Sequence, residues 1–152
     1  MYFTTRNKDF WTKKRVLITG HTGFKGSWLS VILLNLGAKV SGLSLEDENK
    51  VKNLFDNLKI KKDLNHYSGN ICNIRDLENC IISEKPDFIF HLAAQSLVRE
   101  SYLRPIETWN VNTIGSINVI EAAKNKLDKC SLVMITTDKV YENNEWVYGY
   151  RE

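Results

Sequence analysis

Arg15-Val16-Leu17-Ile18-Thr19-Gly20-His21-Thr22-Gly23-Phe24-Lys25-Gly26 decides how this chain is read. Val16-Leu17-Ile18 is a short apolar run of the kind that forms a buried parallel strand. It runs directly into Gly20, Gly23 and Gly26, and an apolar helical stretch, Ser27 to Leu36, follows at once. Strand, glycine turn and helix in this order hold the pyrophosphate of a dinucleotide. Glycine lets the backbone approach the phosphates with no Cβ in the way. The N–H groups and dipole of the new helix then face the negative charge. The candidate cofactor contacts on this turn are Gly20, Thr22, Gly23, Phe24, Lys25 and Gly26. An ordinary tight turn is the alternative. For Lys25, a solvated lysine at a helix start stands against a phosphate contact.

Working outward, 152 residues suffice for one domain, and 43% hydrophobic with 26% charged residues is an ordinary globular composition. The net charge of +3 is small and the basic residues are scattered. Lys13-Lys14-Arg15 and Lys59 to Lys62 carry no aromatic interleaving suited to bases, so nucleic-acid binding is not expected. Cys72, Cys80 and Cys130 have no paired or metal-ligand spacing, which fits a reducing cytoplasm and no metal. Met1 to Trp11 is polar and reads as no signal peptide, and no apolar run is long enough for a membrane span.

Strand and helix patterns alternate along the chain. Strands are expected at Arg15–Thr19, Lys39–Leu45, His66–Gly69, Asp87–Leu92 and Leu132–Thr136. Helices are expected from Phe24 to Leu36, closed by Gly37, and over Val51–Leu58 and Arg75–Ser83. A long helix runs from Pro105 to about Leu127, with Val111, Ile114, Ile117, Ile120 and Ala123 as its buried stripe. Repeated strand–helix–strand units imply an α/β fold, a Rossmann-like doubly wound parallel sheet of about five strands. A complete two-sided fold of this kind has six, and the sequence ends in apolar, aromatic residues, Trp146 to Glu152. The expectation is therefore a C-terminally incomplete domain over residues 1–152.

Ligands of such sheets bind beyond the carboxyl ends of the strands. Ser44 ends the second strand, with Glu46, Asp47 and Glu48 just after it and no lysine or arginine adjacent. Acids there suit a free ribose hydroxyl and repel a 2′-phosphate, which favours NAD over NADP; a solvated acidic loop is the other reading. In Gly69-Asn70-Ile71, Ile71 can pack on adenine and Asn70 can accept from its exocyclic amine, or the stretch is a plain turn. After the fourth strand, Ala93 and Ala94 leave room for a cofactor and Gln95 offers a hydrogen bond. His91 reads as a satisfied core histidine before a catalyst. Thr137-Asp138-Lys139 places a hydroxyl, an acid and an amine past a central strand, where they can reach a substrate; a charged turn is the alternative.

The Gly-x-x-Gly-x-x-Gly spacing and these strand ends resemble the extended short-chain dehydrogenases/reductases that modify nucleotide sugars, the NAD-dependent epimerase/dehydratase family. Within it, the wording is most similar to the CDP-glucose 4,6-dehydratases. The stretches that carry this are Gly20-His21-Thr22-Gly23-Phe24-Lys25-Gly26-Ser27-Trp28-Leu29-Ser30, His91-Leu92-Ala93-Ala94-Gln95 through Ser101-Tyr102, and Thr137-Asp138-Lys139 through Trp146. The lysine after Thr137-Asp138 discriminates most, because related dTDP-glucose dehydratases carry glutamate there.

The resemblance implies bound NAD and a nucleotide-sugar substrate, CDP-glucose or similar, in a cytoplasmic enzyme. Hydride leaves C4 of the glucosyl unit, water is eliminated across C5–C6, and hydride returns to C6. It implies that Thr137 binds the C4 oxygen, Asp138 protonates the departing C6 hydroxyl and Lys139 stands where relatives place the C5 base. Asn112 matches the helix asparagine that supports the site. Two departures stand out. Asn70 replaces the family's usual aspartate, and the family's Tyr-x-x-x-Lys pair does not occur in this sequence. The expectation is thus the cofactor-binding N-terminal part of a lyase, inactive alone and without the substrate-binding region. The longer protein is expected to be a homo-oligomer. The alternatives are another epimerase or dehydratase of the extended family and a non-catalytic NAD-binding fragment.

Overall fold

The computed structural model describes residues 5–46, 53–137 and 140–150. Five strands form one sheet: β1 (Arg15–Thr19), β2 (Lys39–Ser44), β3 (Asn65–Ser68), β4 (Phe88–His91) and β5 (Ser131–Met134). Their order is β3-β2-β1-β4-β5, and every neighbouring pair is parallel. The chain moves outward from β1 to β3, then returns to the other side of β1 for β4. The carboxyl ends of β1 and β4 therefore diverge at a topological switch point, where open α/β sheets bind ligands.

Side chains alternate across the sheet, so β1 feeds two cores. Val16 and Ile18 pack with Leu33, Val40, Phe55 and Leu64 on one face. Leu17 packs with Leu43, Leu77, Ile81, Ile89 and Val119 on the other. Helices cover both: α2 (Phe24–Asn35) and α3 (Leu54–Leu58) on the first face, α4 (Ile74–Glu84) and α7 (Ser116–Lys126) on the second. A further helix, α1 (Thr5–Trp11), precedes the sheet and seats Trp11 on Phe88, with ring centroids 5.0 Å apart.

The helix expected over Val51–Leu58 begins at Leu54; Val51 itself lies outside the described residues. Asn53 caps it, accepting from the Asp56 N–H at 3.1 Å while the Asp56 carboxylate accepts from the Asn53 N–H at 3.3 Å. The long helix expected from Pro105 is interrupted. It comprises α6 (Pro105–Trp109), a π-helical segment (Asn110–Gly115) and then α7, and a short α5 (Val98–Leu103) precedes it.

The expected stripe on this helix is corrected. Ile114, Ile117 and Ile120 are 47%, 48% and 43% exposed, and the buried face is Gly115, Val119, Ala122 and Ala123. A strict i, i+3 series winds around a helix of 3.6 residues per turn, whereas the +4, +3, +1 steps of the buried set stay on one side. Small residues there let α7 approach α4 closely.

At the amino end of the sheet, Arg15 Nη2 lies 2.9 Å from Asp87 Oδ1, and the Asp87 carboxylate also accepts the Arg15 N–H at 2.9 Å. These bonds fix the register of β1 against β4, and the hydrogen bond from Arg15 holds the Asp87 carboxyl below its ordinary range. Both side chains are more than a third exposed, so Asp87→Asn is expected to cost less than about 1 kcal/mol. Urea denaturation checks this, and the difference is expected to shrink in high salt.

Candidate cofactor-binding site

The β1–α2 turn is built by steric necessity. Gly20 has φ +75°, a conformation that side chains rarely adopt. Its N–H donates to the Leu43 carbonyl at 2.8 Å, and a Cβ there would lie 2.8 Å from the Ala93 nitrogen. Gly20 thus joins the carboxyl end of β2 to the loop after β4. Gly26 lies under the same turn, where a Cβ would overlap the Gly20 carbonyl oxygen. Gly23 is the N-cap of α2, and no side chain caps the first-turn N–H groups of that 12-residue helix, which also carries no acid in its first turn. Open donors and an absent carboxylate are what an anion requires at a helix start.

Beyond the strand ends lies a cavity of about 1100 Å³. Gly20, Thr22, Gly23, Phe24, Lys25 and Gly26 line its floor; Ser44, Asn70, Ile71, Ala93 and Ala94 line its walls. The structure therefore brings together eleven of the twelve residues expected to meet the cofactor. The donors at the helix start, the glycine floor and the apolar Ile71 wall fit a dinucleotide.

The twelfth, Gln95, turns away. Its Oε1 accepts from the Leu97 N–H at 2.6 Å and its Nε2 donates to Thr108 Oγ1 at 3.0 Å. It stays coupled to the site through its backbone. Asn112, in the π-helical segment, accepts from the Gln95 N–H at 2.8 Å and donates to the Gln95 carbonyl at 2.9 Å. Asn112 clamps the loop after β4 and does not line the cavity. Thr137 lies just past the lining residues Ile135 and Thr136. Asp138 and Lys139 lie outside the described residues.

Asn70 Oδ1 already accepts the Cys72 N–H at 2.9 Å, and Asp76 accepts the Asn70 N–H at 2.9 Å. Asn118 donates to the Ile71 and Cys72 carbonyls at 3.0 and 3.2 Å, tying the same turn to α7. Asn118 escapes a reading of the sequence because it acts on a backbone distant in the chain.

His91 is 3% exposed and both its ring nitrogens are bonded, Nδ1 to Thr19 Oγ1 at 2.6 Å and Nε2 to Ser116 Oγ at 3.0 Å. Ser116 donates to the Asn112 carbonyl at 2.7 Å, and Thr19 accepts the Ala93 N–H at 3.3 Å. One proton arrangement satisfies all four bonds: Nε2–H donates to Ser116, and Thr19 donates to Nδ1. Burial lowers the His91 pKa and keeps this neutral form. His91 thus braces β1, β4 and the π-helical segment behind the cavity. A polar Thr19 in a buried strand was the available signal.

Known proteins resemble this chain. Residues 17–148 match the model of the family described as GDP-mannose 4,6 dehydratase. The CDP-glucose 4,6-dehydratase of Salmonella typhimurium LT2 is 46% identical over 96% of this chain and 40% of its own length. The dTDP-D-glucose 4,6-dehydratase of Dictyostelium discoideum is 34% identical over 89% of this chain and 31% of its own. The crystal structure of the Thermus thermophilus UDP-glucose 4-epimerase in complex with NAD superposes with a TM-score of 0.64 and 28% identity, covering 74% of this chain and 34% of that one. The chain spans well under half the length of these relatives.

Proposed function

The chain belongs to the GDP-mannose 4,6 dehydratase family, and from that premise we propose that it is the cofactor-holding part of an NAD-dependent dehydratase acting on CDP-glucose. The observation that carries the substrate is the identity with a CDP-glucose 4,6-dehydratase, 46% against 34% for the dTDP-D-glucose enzyme. The glycine floor, the uncapped start of α2 and the cavity beyond them support the cofactor.

When bound, NAD supplies a hydride acceptor for C4 that later returns the hydride to C6, leaving no net oxidation. The work of this chain is placement and proton transfer. Gly20, Gly23 and Gly26 admit the pyrophosphate, and the first turn of α2 donates to it. Ser44, on the cavity wall, meets the adenosine ribose, and the acids after it with no adjacent lysine or arginine in the sequence favour NAD over NADP. Asn112 and His91 hold the loop after β4 so that Ala93 and Ala94 keep their distance from the cofactor. Past β5, Thr137 binds the C4 oxygen, Asp138 protonates the leaving C6 hydroxyl and Lys139 takes the C5 proton. That last role needs a lysine whose pKa is depressed.

Calorimetry with NAD, together with a keto-sugar assay on CDP-glucose, tests this reading. The chain is expected to bind NAD and form no product, because no Tyr-x-x-x-Lys is present to deprotonate the C4 hydroxyl. Absence of NAD binding overturns the cofactor assignment. Product formed by the chain alone overturns the requirement for that base.

A further inference from the structure

We propose that His21 and His66 are positioning residues that orient the Ser44 hydroxyl, and that this buried pair makes the site select a free ribose hydroxyl over a 2′-phosphate. The inference rests on the cofactor reading above. Its content is the role of two histidines that no contact with the cofactor requires.

His21 lies within the glycine turn yet is fully buried. Its ring occupies the space over Gly42 in β2, where a Cβ would overlap the imidazole. Nδ1 lies 2.9 Å from Ser44 Oγ, and Nε2 lies 2.7 Å from Nδ1 of His66 on β3. Phe55 closes the pair, edge-on to His21 at 5.1 Å and stacked on His66 at 6.0 Å. The row Ser44–His21–His66 therefore runs from the cavity wall to the half-exposed His66.

Each contact in this row holds one proton. Two proton arrangements fit these contacts with both rings neutral, and the one assigned has Ser44 donating to His21 Nδ1, His21 Nε2–H donating to His66 Nδ1 and the His66 Nε2–H pointing outward. The Ser44 proton is then directed inward. Its lone pairs remain for the Thr22 N–H, at 3.4 Å, and for a ribose hydroxyl. Ser44 acts as the acceptor that a carboxylate supplies at this position in other NAD sites. A phosphate oxygen has no proton to offer it. When His66 takes up a proton its Nδ1 becomes a donor and the row reverses, so that Ser44 donates into the cavity and tolerates a phosphate.

The surroundings set when this happens. Burial first, then the like charge of His66, pushes His21 down to about 4, while the Leu43 carbonyl pulls the other way. That carbonyl already accepts the Gly20 N–H. Burial and Lys61 lower His66, and Glu46 raises it. His66 is the more exposed ring and is the one that protonates first.

The test measures NAD and NADP affinities by calorimetry at pH 7.5 and pH 5.5 for the wild-type chain, His66→Phe and Ser44→Ala. The wild type is expected to prefer NAD at the higher pH and to lose at least about threefold of that preference at the lower, a shift of about 0.7 kcal/mol. Both variants are expected to show a preference that does not move with pH. A wild-type preference that stays constant while NAD binds overturns the inference and leaves the cofactor reading intact; no NAD binding overturns both. Nitrogen-15 NMR of the imidazoles gives a readout free of cofactor. His21 protonated at Nε2 at pH 7.5 is expected, and protonation at Nδ1 overturns the inference.

Discussion

Gly26→Ala is expected to lower the stability of the chain by about 3 kcal/mol or more and to abolish NAD binding. The new Cβ would overlap the Gly20 carbonyl oxygen, and it would lie 2.7 Å from His21 Cα and 2.9 Å from the Gly20 carbonyl carbon. All three are backbone atoms, so no rotamer change relieves the clash. The backbone itself is pinned from both sides, since the Gly20 N–H is bonded to Leu43 and the Ala93 backbone fills the space where a Gly20 Cβ would stand. Moving the helix start means disturbing either the pairing of β1 with β2 or the loop after β4. Gly23→Ala is the internal control. Its Cβ would stand 3.3 Å from one carbonyl oxygen and its φ of −70° is ordinary. An effect of about 1 kcal/mol is expected there. Thermal denaturation separates the two by several degrees, at roughly 3 °C per kcal/mol for a chain of this size. A Gly26→Ala chain that melts with the wild type and still binds NAD would show that the turn is looser than its contacts indicate.

The glycine turn was legible because its constraints are local. A strand, three glycines and a helix within twenty-odd residues leave few arrangements, and the apolar runs at β1 and β4 state their place in the sheet openly. The faces of the 105–126 helix were not legible. Its sequence offers an isoleucine stripe and a small-residue stripe, and only the approach of α4 decides between them. The π-helical segment at Asn110–Gly115 adds to the difficulty, because it shifts the phase of everything before it against everything after. The roles of Gln95 and Asn112 were half legible. Their positions follow from the strand ends, but the clamp is a side chain on a helix gripping a backbone seventeen residues away. His21 stands between two glycines, and nothing local in the sequence signals its burial. Only the space over Gly42, on the neighbouring strand, makes room for its burial.

The same buried histidines make stability fall in mild acid. Burial is the first cause of lowering for His21, His66 and His91, with His21 carried from 6.5 to about 4. The folded chain keeps His21 neutral down to about pH 4, and it holds His66 and His91 neutral to a lower pH than the unfolded chain does. Between about pH 6.5 and pH 4 the unfolded state therefore binds more protons, and stability decreases as pH falls through that window. His21 alone accounts for about 3 kcal/mol across it, and the other two act in the same direction. Asp87 contributes nothing there. Its pKa is held below the ordinary 3.8 by Arg15, so its stabilisation is complete above that value and is lost only at lower pH. Urea midpoints measured from pH 8 to pH 4.5 are expected to be flat above pH 7 and then to fall. The steepest slope should correspond to the uptake of between one and three protons on unfolding, about 1.4 kcal/mol per pH unit for each. A midpoint that stays level down to pH 5 would mean that water reaches these rings in the folded chain. The row from Ser44 to His66 would then lack the dry surroundings that fix its direction, so the stability curve and the cofactor preference stand or fall on the same burial.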